Sequence, residues 1–306
     1  MVATGRQQQY AGIGLAILTT FIWSGNYVIA RGISKQLPPV SLAFYRWGLA
    51  AVCILPFAWK AIVAQKEILI ANRWYLLWTA LTGVSIFNTF IYLGGHYTSA
   101  INLALIGTTS APVFATFMAA FFLKEKISRF RIAGILICIA GILYLLSAGS
   151  LQHLASLHFG KGDLLVLISA FTFAIYNTLV RKKPATLSPL AFLAVIFAVG
   201  VICLVPFYVY EVTHEQAVQW TPGMFAIIAY LGIGNSIIAF FCWNASIEKL
   251  GASGTALFGN LIPVFSTIEA VLFLGETFTV VHLISGVLVI GGLVIANLQF
   301  QKRTRT

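Results

Sequence analysis

Between residues 85 and 96, Ser85, Asn88, Tyr92 and His96 fall at i, i+3, i+7 and i+11, so a helix would carry them as one continuous polar stripe. The surrounding residues are apolar, and polar groups in lipid cost several kcal/mol when left unsatisfied. Such a stripe therefore faces a bundle interior, a wet cavity or a ligand. Asn102, Thr109 and Thr116 repeat the pattern further on, and Ser253, Asn260 and Thr267 echo it in the second half of the chain. Trp23, Tyr92, Tyr176 and Trp243 are the rings best placed to wall a pocket, with Asn26, Asn88, Asn177 and Asn235 beside them to orient a polar group. Rings with a few amides suit a solute that is partly apolar and partly zwitterionic, such as an amino acid. Hydroxyls and amides at these positions also serve simply to join helices.

Two charges fall well inside apolar stretches, Arg46 and Glu269. Both sit one to two turns from the same boundary. They are expected to form a structural or gating pair, with carboxylate binding by Arg46 and proton coupling by Glu269 as the alternatives. Pro112 and Pro263 lie mid-stretch, where each removes a backbone donor and is expected to kink its helix.

Covalent chemistry has little to work with. The single aspartate, Asp163, excludes a paired-aspartate protease, and the sequence holds no HExxH, GxSxG or GxxxxGK[ST] motif. No catalytic residues are assigned, and neither enzymatic activity nor a cofactor is expected. The histidines at 96, 153, 158, 214 and 282 have no metal-ligand spacing, and no metal is expected. Cys53, Cys138, Cys203 and Cys242 fall inside apolar stretches and read as core fillers.

The elements that must position these residues follow from composition. With 59% hydrophobic and 9% charged residues in 306, and a mean hydropathy of +0.93, the chain belongs in a lipid bilayer. Ten apolar stretches are expected to span it, near residues 11–33, 40–59, 73–95, 100–123, 128–148, 161–181, 188–210, 222–244, 252–274 and 279–299. The longest connections, near 149–160 and 211–221, are too short to fold alone. Trp59, Trp74 and Trp220 close to span ends fit interfacial belts. Fifteen of the nineteen basic residues fall on one side if the N-terminus is cytoplasmic, which puts both termini there. The same bias accounts for the net charge of +11 without a nucleic-acid partner.

The chain also repeats itself. Pro112-Val113-Phe114 recurs as Pro263-Val264-Phe265; at the same offset Leu123 and Glu125 recur as Leu274 and Glu276, and Gly141 as Gly292. Residues 1–150 and 151–306 thus read as two five-helix repeats. An odd number of spans makes the second enter the membrane inverted, with a path between the halves near the midplane.

The first-half motif, Pro112-Val113-Phe114 through Leu123-Lys124-Glu125-Lys126-Ile127-Ser128, its second-half version through Leu274-Gly275-Glu276-Thr277-Phe278-Thr279, and Phe44-Tyr45-Arg46-Trp47 together resemble the EamA family of the drug/metabolite transporter superfamily. Length and aromatic-rich spans are most similar to its YddG-type amino-acid exporters. The resemblance implies an all-α, ten-helix bundle in a bacterial inner membrane that exports or exchanges small metabolites. Neutral or aromatic amino acids would be the substrate, moved by alternating access in a monomer whose partners are solute and bilayer. Nucleobases, cationic compounds or a sugar phosphate or nucleotide sugar are the alternative cargoes, although the last two would call for several intramembrane basic residues where Arg46 stands alone. A membrane sensor or scaffold is the non-transport alternative.

Overall fold

The computed structural model describes residues 5–122, 128–150, 160–215 and 218–297. Among them the protein is helical throughout, with no strand. The helices are α1 (Gly5–Gly32), α2 (Pro39–Ala64), a short α3 (Lys66–Ala71), α4 (Arg73–Ala80), α5 (Phe87–Gly95), α6 (Ala100–Phe122) and α7 (Arg129–Leu146). The second half holds α8 (Lys161–Arg181), α9 (Pro189–His214), α10 (Pro222–Ala229), α11 (Ala239–Phe258), α12 (Ile262–Leu274) and α13 (Val280–Asn297). Eight helical runs are long and apolar enough to cross a membrane, and Gly259–Leu274 and Val280–Ala296 are shorter apolar helices. Helices and their internal hydrogen bonds are what the composition demands, because a lipid-exposed backbone has no water to satisfy it.

Two junctions are π-helical rather than α-helical: Leu81–Ile86 joins α4 to α5, and Tyr230–Ile238 joins α10 to α11. They occupy matching places in the two halves, at the offset that relates Tyr92 to Trp243. A π turn widens the helix and re-aims the side chains beyond it, a deformation common at functional sites. The first is accommodated by Gly83, where any Cβ would collide with the Tyr176 ring.

Most expected spans coincide with observed helices, and three departures have physical causes. The run α9 continues to His214, so Glu211 lies in a helix rather than in a connection. Residues 239–258 are helical without a coil between the expected eighth and ninth spans. The run is nonetheless sharply bent there: Ser246 Oγ lies 3.1 Å from Thr255 Oγ1, whereas nine residues of straight helix would rise about 13.5 Å. Third, Pro263 does not kink a continuous helix. A 3-10 turn at Gly259–Leu261 breaks the span, and Pro263 sits in the first turn of α12, where its missing N–H costs nothing. Pro112 does lie inside α6 as expected. Of the recurring motif, Leu123 and Glu125 fall outside the described residues, as do His153 and His158 and the basic residues beyond 297. The side chain of Ser253 also lies outside them.

Among the described residues the most extensive helix contact is that of α7 with α13. It is an antiparallel crossing through small residues: Gly134 meets Gly292, and Gly141 meets Ser285, whose hydroxyl bonds the Gly141 carbonyl. Ser285 and Gly292 are the repeat counterparts of Gly134 and Gly141, so the two contacts exchange under a two-fold rotation. A Cβ on Gly292 would stand 2.6 Å from the Gly134 carbonyl oxygen. Gly292→Leu is therefore expected to lower stability by about 3 kcal/mol, the upper end for overpacking. Gly291→Ala, at a neighbouring glycine with open space, should leave thermal melting in detergent unchanged.

Candidate functional site

The π segment Tyr230–Ile238, α1, α2 and α5 converge on Arg46, which is only 5% exposed. Its Nε donates to Ser236 Oγ at 2.9 Å, and Nη2 donates to Asn235 Oδ1 at 2.7 Å. Nη1 has three acceptors, Asn26 Oδ1 at 2.7 Å, Asn88 Oδ1 at 2.8 Å and the Tyr92 hydroxyl at 2.7 Å. Every acceptor is uncharged. The guanidinium also lies 4.7 Å from the centroid of the Trp47 ring, a cation–π contact. The site thus gives every guanidinium nitrogen at least one protein acceptor while leaving the positive charge uncompensated. Nη1 carries two N–H groups for three acceptors, so one acceptor can be exchanged without leaving a donor unmet.

A second set of bonds holds these acceptors in place. Tyr92 donates to Asn26 Oδ1 at 3.0 Å while receiving from Arg46. Asn235 Nδ2 and the Tyr230 hydroxyl both donate to the Ile22 carbonyl, at 2.8 and 2.6 Å. Trp23 Nε1 donates to the Asn235 carbonyl at 3.2 Å, and its ring lies 5.0 Å from that of Trp243. Ser236 Oγ passes its own proton to the Leu231 carbonyl, five residues back across the π turn. That turn is what brings Asn235 and Ser236 to the guanidinium together.

Of the residues expected to line a pocket, Trp23, Asn26, Asn88, Tyr92, Asn235 and Trp243 come together around Arg46. The others do not. Ser85 donates to the Gly200 carbonyl, Thr109 to the Leu105 carbonyl and Asn177 to the Phe173 carbonyl, so each joins or stiffens helices. Tyr176 packs on Gly83 and Phe173. Asn260 is half-buried in the 3-10 turn with Nδ2 unbonded. His96 is exposed beyond α5 and borders a cavity of about 470 Å³ with Lys35, Gln36, Glu215, Gln219 and Thr221. Partial burial pulls the His96 imidazole below its ordinary value, an effect opposed by the carboxylates of Glu215 and Glu211 and reinforced by Arg31. Ser236 and Tyr230 are the members that periodicity missed. Ser236 carried a signal all the same, since it is the repeat counterpart of Ser85.

Arg46 and Glu269 do not pair. Glu269, 7% exposed on α12, accepts from Ser24 Oγ at 2.6 Å through Oε1, and Oε2 has no partner. Ser24 and Asn26 are two residues apart on α1, about 200° around the helix, so carboxyl and guanidinium occupy opposite flanks of α1.

Two other carboxylates cap the starts of helices, one of them the helix that carries Arg46. Glu211 accepts from the Val40 and Ser41 amides at 3.1 and 2.6 Å, capping α2, whose own N-cap residue is Pro38 with no side-chain bond. Glu276 accepts from the Ala100 and Ile101 amides at 2.7 and 3.1 Å and caps α6. Gly275, at φ +66°, ends α12 in the left-handed conformation that turns Glu276 toward that helix.

A model of the EamA-like transporter family matches residues 10–147 and again 160–298. The chain is 29% identical to an uncharacterized transporter of Archaeoglobus fulgidus, covering 92% of this chain and 96% of the relative. It is 27% identical to a probable amino-acid metabolite efflux pump of Salmonella typhimurium, over 94% and 95% of the two chains. A probable amino-acid metabolite efflux pump of Escherichia coli is 24% identical over 92% and 93%. A crystal structure at 17% identity shares the fold, with a TM-score of 0.64 over 97% of this chain and all of that one.

Removing a cap exposes two first-turn amides. Glu276→Ala is expected to cost about 1–2 kcal/mol, read as a lower melting temperature in detergent, while Glu67→Ala at an exposed carboxylate on α3 should leave it unchanged.

Proposed function

Because the chain belongs to the EamA-like transporter family, we propose that it is a secondary exporter of small neutral or aromatic amino acids, working by alternating access at the Arg46 cluster. The observation that carries this reading is a buried guanidinium held only by uncharged acceptors. An isolated buried charge is costly, and a carboxylate arriving at Nη1 in place of one neutral oxygen would compensate it. One guanidinium matches one carboxylate. The tilted Trp23 and Trp243 rings beside the cluster offer apolar surface to a side chain. The names of the Salmonella and Escherichia relatives lend this substrate class support.

The architecture we propose is ten spans in two inverted five-helix repeats, residues 1–150 and 151–306, with both termini cytoplasmic, in a bacterial inner membrane, acting as a monomer. Its support is the family model matching twice, the π turns at matching positions, the exchangeable Gly134–Gly292 and Gly141–Ser285 contacts, and the distribution of basic residues. In this orientation the His96 cavity lies at the outer face, and the Arg46 cluster lies below it with a protein acceptor at every guanidinium nitrogen.

The test is counterflow uptake of labelled aromatic, aliphatic and charged amino acids into proteoliposomes. Saturable uptake of neutral or aromatic members is expected. Asn235→Ala, which removes the one acceptor at Nη2, should reduce it about tenfold, the worth of one hydrogen bond to a charged group, with Arg46→Gln abolishing it. Uptake by Arg46→Gln equal to wild type would remove the guanidinium from the substrate path. Silence across the panel would reject amino acids in favour of nucleobases or other metabolites.

A further inference from the structure

We infer that Glu269 is the protein's proton-carrying site, protonated in the closed arrangement seen here and exchanging its proton for substrate across the membrane. The inference rests on the proposed transport reading and adds the coupling ion to it.

The geometry is that of a neutral acid. Glu269 lies within an apolar span, more than nine-tenths buried, with one donor for two oxygens: Ser24 Oγ meets Oε1 and nothing meets Oε2. An ionised carboxylate so placed would go largely uncompensated, whereas a protonated one leaves only a neutral O–H without an acceptor. The contrast with Glu211 and Glu276 is internal to the molecule, since each of those carboxylates accepts two backbone amides.

No nearby group substitutes for the proton. Of the elements packed on α12, α6 (Ala100–Phe122) and the 3-10 turn Gly259–Leu261 carry no titratable side chain. The facing stretch of α1 offers Ser24, with Tyr27 and Arg31 further along; Arg31 is committed to the Gly95 carbonyl. Tyr230 is within electrostatic reach of both Glu269 and Arg46, but its hydroxyl is spent on the Ile22 carbonyl. Arg46 itself stands on the opposite flank of α1. Ser266, one turn before Glu269 on α12, is likewise buried with its hydroxyl unbonded, so the α1–α12 seam has polar atoms waiting for water when it opens.

The direction of coupling follows from what is closed together. In one and the same arrangement every nitrogen of Arg46 donates to a protein acceptor and Glu269 is sealed. The proton-loaded form therefore returns without substrate, and the substrate-loaded form moves with Glu269 ionised. The exchange is antiport of one proton against one amino acid.

Two measurements decide it. Infrared spectra of purified, substrate-free protein at neutral pH should show a protonated-carboxyl band that is lost in Glu269→Gln and shifted in Ser24→Ala, which removes the one hydrogen bond while keeping the acid. Absence of such a band, or a band indifferent to both variants, overturns the inference whether or not amino acids are substrates. In proteoliposomes with the membrane potential clamped, a one-unit pH gradient should drive about tenfold accumulation at one proton per substrate. Glu269→Gln, fixed in the neutral form that moves without substrate, should abolish that accumulation and suppress substrate counterflow, whereas Ser24→Ala, which keeps the acid, should retain both. Counterflow with no response to the pH gradient, or a response to sodium instead, overturns the coupling and leaves the exporter reading standing. No counterflow of any amino acid in wild type, with the infrared band present, overturns the exporter reading and confines the inference to the proton site.

Discussion

A guanidinium buried in a lipid-embedded bundle must have its N–H groups met by protein, because neither water nor lipid will do it. Arg46, on α2, imposes that condition on three other stretches of chain at once. Asn26 comes from α1, Asn88 and Tyr92 from α5, and Asn235 and Ser236 from the second π segment. Move α5 or the second π segment by an ångström and a charged donor goes unmet. The π geometry around Leu231–Ser236 is intelligible in those terms, since it lets consecutive residues reach Nε and Nη2. The strain of leaving α-geometry is repaid by bonds to a charged group, which are worth about 1.5–3 kcal/mol each.

The carboxylates are arranged by the same logic applied to backbone. Helices α2 and α6 begin at positions where their first amides would be orphaned, and α2 begins after Pro38, which has no side-chain acceptor to give. Glu211 and Glu276 supply acceptors from other elements and so tie α2 to α9 and α6 to the end of α12. These ties join separate elements rather than neighbouring turns, and an anion at a helix N-terminus also meets the favourable end of the dipole.

Much of this was legible in the sequence. Apolar length located the helices because lipid leaves no other way to satisfy a backbone. The stripe Asn88, Tyr92 and the isolated Arg46 pointed to the cluster because polar groups in an apolar span need a reason to be there. The stripes misled at Ser85 and Thr109, and the pairing of amides with rings misled at Asn177, because sequence position reports which face of a helix is polar and not what stands opposite. Threonines in particular spend their hydroxyls on the carbonyl four residues back, as Thr109, Thr116, Thr178 and Thr267 all do, and need no ligand. Glu211 was hidden in an expected loop. Glu276 was visible as half of a recurring motif, but its role as a cap requires knowing that Gly275 turns it toward α6. Arg46 and Glu269 looked like partners because depth in the membrane was the only coordinate available, and depth says nothing of which flank of α1 each one occupies.

That last distinction carries the functional argument further than the identities of the residues do. A direct ion pair between Arg46 and Glu269 would neutralise both groups and leave neither free to exchange a ligand. Placing α1 between them keeps a fixed positive charge on one flank and a titratable group on the other, joined through a span of only five residues, Ile22 to Asn26. Ile22 lends its carbonyl to Asn235 and Tyr230, Ser24 lends its hydroxyl to Glu269, and Asn26 receives from Arg46. A shift of that segment that loosens the acceptors around Arg46 must also disturb the one bond to Glu269. Two sites biased by one movable element are what thermodynamic coupling requires. On this geometry the element is the middle of α1.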